Sequence, residues 1–173
     1  MTSFFLVDRF HTLEEDLVLD LQRYDDIESD EFSDLQQHVD ELFPDGVTFH
    51  GERYLLRGEI AASATNPALE LLFEYVRRSH FPHRPSRYQS VFGCPSLAMA
   101  QKFRDRFGAP EDPIWIVEAN DSFKADMNLL TRDGTTLMLS RRSHHYWSGG
   151  RGAIEPLWEV LAQPPARVVE QVE

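Results

Sequence analysis

Between His80 and Phe103 the chain reads HFPHRPSRYQSVFGCPSLAMAQKF, its densest concentration of chemically capable side chains. Residues 76–106 hold Arg77, Arg78, Arg84, Arg87, Lys102, Arg104 and Arg106 against Asp105 alone. Lysine occurs only at Lys102 and Lys124, so almost all positive charge is guanidinium. A guanidinium binds phosphate or carboxylate through two parallel N–H bonds, which suits this stretch to an anionic ligand. A genomic preference for Arg codons would produce the same count. Cys94 follows Gly93 and precedes Pro95-Ser96 at an expected strand-to-helix junction. A helix N-terminus lowers a thiol pKa and could make it a nucleophile, while a small buried residue is the commoner reading.

Metal chemistry finds little support. His144 and His145 are adjacent and would diverge on a strand, and His80 and His83 flank Phe81-Pro82 with no carboxylate or Cys spacing beside them. No nucleotide-phosphate loop, GxGxxG or HExxH string occurs.

The elements that must position these groups follow from periodicity. Leu13, Leu17 and Leu21, then Phe32, Leu35, Val39 and Leu42, predict two amphipathic helices joined near Asp25–Asp30, with Thr12 and Ser29 as caps. Pro44-Asp45-Gly46 predicts a turn, and VTFHGERYLLRGEI a strand or hairpin around Gly51. Asn66-Pro67 opens a helix through NPALELLFEYVRRSHF, ended by Pro82 and Pro85. RYQSVFG reads as a strand with Tyr88, Ser90 and Phe92 on one face and Arg87, Gln89 and Val91 on the other. SLAMAQKFRDRFG reads as a helix closing on Gly108, with Ala100 and Phe103 packed back on that strand. PIWIVEAN, SFKADMNLL and TTLMLS are strand candidates, the last two flanking an Arg132-Asp133-Gly134 turn. HHYWSGGRGA reads as a glycine-rich loop, IEPLWEVL as a terminal helix and the chain from Gln163 as a frayed tail. The sum is an α+β chain, with an acidic helical appendage at 1–45, a main domain at 46–162 and a tail at 163–173.

The 173 residues carry 17 Lys+Arg and 29 Asp+Glu, a net charge of −12. Fourteen of the acidic residues fall within 1–45 beside only Arg9 and Arg23, so that segment holds the whole excess and the remainder is electroneutral. The total therefore does not exclude a phosphate-bearing partner for the Arg-rich stretch. Hydrophobic content of 42% with 12 Phe excludes a disordered chain. The apolar run in MTSFFLVDRF is too short for a signal peptide, no run is long enough to span a membrane, and one cysteine forms no internal disulfide. The expected compartment is cytoplasmic.

The run FEYVRRSHFPHRPSRYQSVFG, continued by SLAMAQKF, IWIVEAND, FKADMNLL and HHYWSGG, resembles a family of uncharacterised bacterial and phage domains with the ADP-ribosyltransferase fold. The similarity covers roughly residues 68–150, with Phe81 to Phe92 its most distinctive string. It implies a pair of packed, mostly antiparallel sheets holding NAD as substrate in a cleft, without a metal, and cleavage of the nicotinamide–ribose bond. That reaction has an oxocarbenium-like transition state and calls for a carboxylate near the ribose, a cation for the pyrophosphate and an aromatic face for nicotinamide.

The resemblance implies roles residue by residue. Arg87 is the candidate for pyrophosphate or ribose, in competition with Arg57 of YLLRGE, which resembles the strand-borne arginine of the family's first motif. Ser90 matches the serine of arginine–serine–glutamate transferases. Tyr88, Phe92, Tyr146 and Trp147 are candidate nicotinamide walls. The glutamate or glutamine that many such enzymes carry two residues before the catalytic glutamate is absent from the resembling block, since neither ExE nor QxE occurs within residues 68–150. Asp126 is the first choice for the carboxylate and Glu118 the second. The expected activity is mono-ADP-ribosyl transfer to a protein or nucleic-acid acceptor. The alternatives are a non-catalytic protein docking a basic partner through its acidic helices, and a toxin-like NAD hydrolase.

Overall fold

A computed structural model describes residues 1–58 and 66–173 of the chain. The architecture is α+β, with two antiparallel sheets flanked by helices. The first sheet has the order β1 (Thr2–Val7), β4 (Ile114–Ala119), β7 (Ala166–Gln171), β2 (Val18–Leu19). The second has the order β3 (Val91–Gly93), β6 (Trp158–Ala162), β5 (Ser122–Asp126). Phe4, Val117 and Val168 of the first sheet share one apolar cluster with Val91, Val160 and Ala162 of the second. Burial of that shared face removes apolar surface from water and welds the sheets into one body.

The sheets also touch through backbone. Phe5 and Cys94 exchange both N–H···O bonds, at 2.9 and 2.7 Å. Glycine at 93 permits this approach, because a Cβ there would stand 2.3 Å from Phe4 Cδ2. The chain after β1 and the chain before β3 are thereby brought to one side of the molecule.

The helices pack around this frame. Helix α1 (Leu35–Leu42) precedes a short helical stretch, α2 (Phe49–Gly51), which continues with π-type bonding over Glu52–Leu56. Helix α3 (Pro67–His80) starts where the Asn66 side chain accepts from Ala68 N at 2.9 Å and Pro67 supplies a pre-set φ. Arg77, Arg78 and His80 in its last turn complement the helix dipole. Helix α4 (Leu97–Phe107) is capped by Ser96, whose Oγ accepts from Met99 N at 3.3 Å. Helix α5 (Thr136–Trp147) is capped in the same way by Thr135. A 3₁₀ turn at Arg87–Gln89 leads into β3.

Several sequence expectations are corrected. Residues 1–45 are not two helices: they supply β1, β2 and the single helix α1, and Leu13, Leu17 and Leu19 pack on the first sheet's core. Four-residue leucine spacing is met there by irregular chain lying across a sheet. The stretch read as a hairpin around Gly51 is helical over its described part, with Glu59 and Ile60 outside the described residues. TTLMLS begins α5, and IEPLWEVL, read as a helix, yields β6. Both runs are short and apolar, and periodicity cannot separate a buried strand from a buried helix at that length. Residues 163–173, expected to fray, hold β7, which lies between β4 and β2. RYQSVFG is a strand only from Val91, so Tyr88, Ser90 and Phe92 do not share one strand face.

Candidate functional site

A cleft of about 410 Å³ opens between the chain after β1, helix α2 and the β3–β6 edge. Its lining is mostly apolar and aromatic, with Arg9, His50, Arg53, Arg87, Ser90 and Glu159 among the polar residues. This combination of apolar walls and few converging polar groups is typical of small-molecule sites.

A charged network lies beneath the cleft. Along α3, Leu69, Glu70, Phe73 and Glu74 are all buried, so two carboxylates one turn apart share the apolar face. Glu70 grips Arg87 bidentately, Oε2 to Nε at 2.6 Å and Oε1 to Nη2 at 2.8 Å. The remaining nitrogen, Nη1, donates to Glu159 Oε1 at 2.7 Å and to the Tyr146 hydroxyl. Tyr146 in turn donates to the same Glu159 oxygen at 2.6 Å. Four elements contribute one side chain each: α3, the 3₁₀ turn, α5 and β6.

The His50 ring sits between Tyr54 and Phe92, with centroids 4.6 and 4.4 Å away. Its Nε2 lies 3.3 Å from Glu70 Oε1, within ion-pair range but without hydrogen-bond geometry. The Glu74 carboxylate forms a parallel clamp: it binds Arg77 at 2.7 Å, Arg78 at 2.8 Å and the Ser86 hydroxyl at 2.9 Å. That clamp fixes the 82–86 segment from which Arg87 enters the core.

Burial alone would raise the Glu70 carboxyl, but Arg87 and then His50 outweigh it and hold the group at about 2. Burial likewise opposes the charged form of Arg87, and Glu159 and Glu70 reverse that and push it up. Tyr146 is raised by burial and by Glu159, against the opposing pull of Arg87. Cys94 borders the cleft, yet burial, followed by the nearby Glu159 charge, raises its thiol to about 12. Burial thus disfavours the thiolate that a nucleophile would need.

The expected site residues divide. Arg87, Ser90 and Phe92 reach the cleft. Arg87, however, is 2% exposed and uses every guanidinium nitrogen on protein partners, so it holds Glu159 instead of an incoming pyrophosphate. Ser90 Oγ donates to Ser86 O at 2.6 Å, and its carbonyl accepts from Thr48 Oγ1 at 2.9 Å.

Tyr88 lies in a separate core cluster, edge-on to Phe43 at 5.7 Å, and does not wall the cleft. Trp147 is fully buried, donates to Phe73 O at 2.8 Å and stacks on Phe123 at 5.8 Å. Tyr146 is equally buried and touches the cleft only through its partners Arg87 and Glu159. Arg57 is solvent-facing beside Glu52 at 3.3 Å and Asp26 at 3.8 Å, away from the cleft.

Asp126 is fully buried, and its carboxylate accepts from Asn128 N at 3.0 Å, Leu157 N at 3.0 Å and Gly152 N at 2.8 Å. It ties the 150–157 loop to the end of β5 and does not border the cleft. Glu118, on β4, accepts from Ser3 Oγ at 3.3 Å, also outside the cleft.

Asp8, Asp20 and Glu159 border the cleft. Asp8 is spent on the Phe10 and Leu13 amides, Asp20 is exposed, and the carboxylate joined to the buried Arg87 network is Glu159, which was assigned no role from the sequence. Its signal was present in PLWEVL, where a single charge interrupts an apolar run. Arg9, His50 and Arg53 were also passed over, because their segments were assigned to an appendage and a hairpin.

Among the described residues, no group of three or more His, Cys, Asp or Glu could hold a metal, and no helix is long and apolar enough to cross a membrane. No curated protein matches the chain. The family model described as "Protein of unknown function (DUF2441)" matches residues 4–173, from β1 through β7 and thus both sheets and the whole cleft, and the chain belongs to that family.

Proposed function

We propose that the chain is an NAD-dependent mono-ADP-ribosyltransferase of ADP-ribosyltransferase-like fold, with Glu159 as its carboxylate in place of Asp126 or Glu118. The observation that carries this reading is the convergence on one cleft of Glu159 from β6, Ser90 from the start of β3 and Arg9 from the end of β1. Two antiparallel sheets sharing one core support the fold assignment.

Glu159 receives Arg87 and Tyr146 on Oε1 alone, which leaves Oε2 for a ribose hydroxyl. Its negative charge favours positive charge on the ribose as the glycosidic bond breaks. The bonding pair passes to the pyridinium nitrogen, nicotinamide leaves neutral, and an acceptor nucleophile bonds to the anomeric carbon and releases its proton to solvent. The packed rings of Tyr54, His50 and Phe92 form an aromatic wall for nicotinamide, and Arg9 supplies positive charge for the pyrophosphate. The acceptor is a group on a cytoplasmic protein or nucleic acid; with water in its place the same step is NAD hydrolysis.

The test is nicotinamide release and transfer of label from adenylate-labelled NAD in a cell lysate. Glu159→Gln should lower nicotinamide release at least about a hundredfold, while NAD affinity stays within a few fold. Absence of release, transfer and NAD binding in the wild-type protein overturns the proposal.

One observation favours a second reading, a docking role for the acidic segment. Asp25, Asp26, Glu28, Asp30, Glu31 and Asp34 are all exposed, beside an exposed Phe32. A basic partner would bind there with salt-sensitive affinity. Neutralising Glu28, Asp30 and Glu31 to their amides should then abolish partner capture and leave NAD cleavage intact; unchanged capture overturns this reading.

A further inference from the structure

The mouth of the cleft carries an aromatic pair that glycosidic bond cleavage does not require. Phe10, in the chain after β1, meets Phe49, at the start of α2, edge-to-face with centroids 5.1 Å apart and planes at 81°. The residues are 46% and 54% exposed, so folding leaves two large rings in water at the rim. A lone exposed phenylalanine is unremarkable. A pair from separate segments, both lining one cleft, is an organised apolar surface.

Both rings stand on tethered backbone. Buried Asp8 accepts from Phe10 N at 3.2 Å and from Leu13 N at 2.8 Å. Phe49 follows buried Thr48, whose Oγ1 donates to Tyr88 O at 3.2 Å and Ser90 O at 2.9 Å. Ordering these rings costs little at the moment a ligand arrives, because folding has already ordered their backbone.

Positive charge lies beside them. The Arg53 guanidinium is 4.7 Å from the Phe10 ring centre and 5.7 Å from that of Phe49. Arg9 lines the same cleft, its Nη1 donating to Phe107 O at 3.3 Å. Asp8, Asp20 and Glu159 line the same cleft, but Asp8 is spent on two backbone amides and Glu159 receives Arg87 and Tyr146, so at the aromatic mouth the two arginines favour a ligand that is both flat and anionic.

We infer that Phe10 and Phe49 seat the purine base of an adenine nucleotide, with its phosphates toward Arg9 and Arg53; the assignment rests on NAD as the substrate of this cleft. Stacking explains the exposed rings, and the arginines explain why the ligand carries phosphate instead of being a neutral aromatic. The two ends of NAD are then read by different residues, adenine by Phe10 and Phe49 and the nicotinamide riboside by Glu159 and Phe92.

Calorimetric titration of the full chain with AMP, nicotinamide mononucleotide and NAD tests this. Phe10→Ala and Phe49→Ala should each weaken AMP about tenfold and leave nicotinamide mononucleotide within twofold, while Phe10→Trp keeps AMP binding. Thermal unfolding of each variant, expected to match the wild type at these exposed positions, excludes loss of fold as the cause. Failure of the wild type to bind AMP, AMP affinity indifferent to both alanines, or equal weakening of the mononucleotide overturns the seat. Phe10-dependent AMP binding without any nicotinamide release from NAD would sustain the seat and overturn the transferase reading. Nicotinamide release with AMP binding indifferent to both rings would do the reverse.

Discussion

Arg87 Nη1 donates to Glu159 Oε1 at 2.7 Å while the other edge of the same guanidinium is held by both oxygens of Glu70. One buried cation thus serves two buried carboxylates, and the carboxylate facing the cleft takes its position from one that does not. A fork of fixed geometry can do this; an ammonium has no second edge.

Removing Arg87 should therefore be severe. Arg87→Ala leaves Glu70 and Glu159 buried without their shared counter-charge, at a cost of about 3–5 kcal/mol in unfolding free energy. Arg87→Lys should recover part of that loss, and the double variant Arg87→Met with Glu70→Leu more of it, since no unpaired charge remains at position 70. Urea unfolding measures all three, and a loss below about 1 kcal/mol for Arg87→Ala would show the network to be unimportant for stability.

Asp126 makes a contrasting prediction. Its three backbone N–H partners are charge-assisted bonds in the interior, so Asp126→Ala should cost about 2–4 kcal/mol. Activity per folded molecule should be nearly unchanged under stabilising conditions, such as low temperature. A large fall in turnover with wild-type stability would restore Asp126 as a reacting group.

Acid should act through Glu70. The folded carboxyl, at about 2, is depressed from its ordinary 4.5, so the charged form binds the fold more strongly than the neutral form. The corresponding stability is complete above pH 4.5 and is lost as pH falls toward 2. Glu70→Gln should flatten the acid limb of a stability-versus-pH curve in that window. An acid limb unchanged in the variant would remove Glu70 as its source.

Cys94 should be silent in the native protein. It is 5% exposed and its thiol is raised to about 12, so at pH 8 thiol reagents should label it only after unfolding. Rapid labelling of the folded chain, or NAD-dependent activity lost on alkylation without unfolding, would contradict this.

The part of the fold legible in the sequence is where a local rule suffices. Asn66-Pro67 announced α3 and the run SLAMAQKFRDRFG announced α4, because a pre-set φ and helical periodicity act within a few turns. PIWIVEAN and SFKAD announced β4 and β5 through apolar, β-branched and aromatic content. Arg87, Ser90 and Phe92 stand in the short string where polar and aromatic types crowd, and all three line the cleft.

Position relative to distant chain was not legible. Glu159 and Asp126 are both carboxylates within strands β6 and β5, only one position out of register across the ladder, where Ala125 pairs with Glu159 and Asp126 with Trp158. Adjacent strand positions point to opposite faces, so that single offset turns Glu159 toward the cleft and Asp126 toward backbone amides. From the sequence by itself came an α+β chain, the helices α3 and α4, the acidic leading segment and an Arg-bearing string suited to an anion. Only the tertiary structure decided that this leading segment lends β1 and Arg9 to the cleft and that Arg87 is consumed by two glutamates. Burial and strand register are long-range properties, fixed by residues that the chain brings together only on folding.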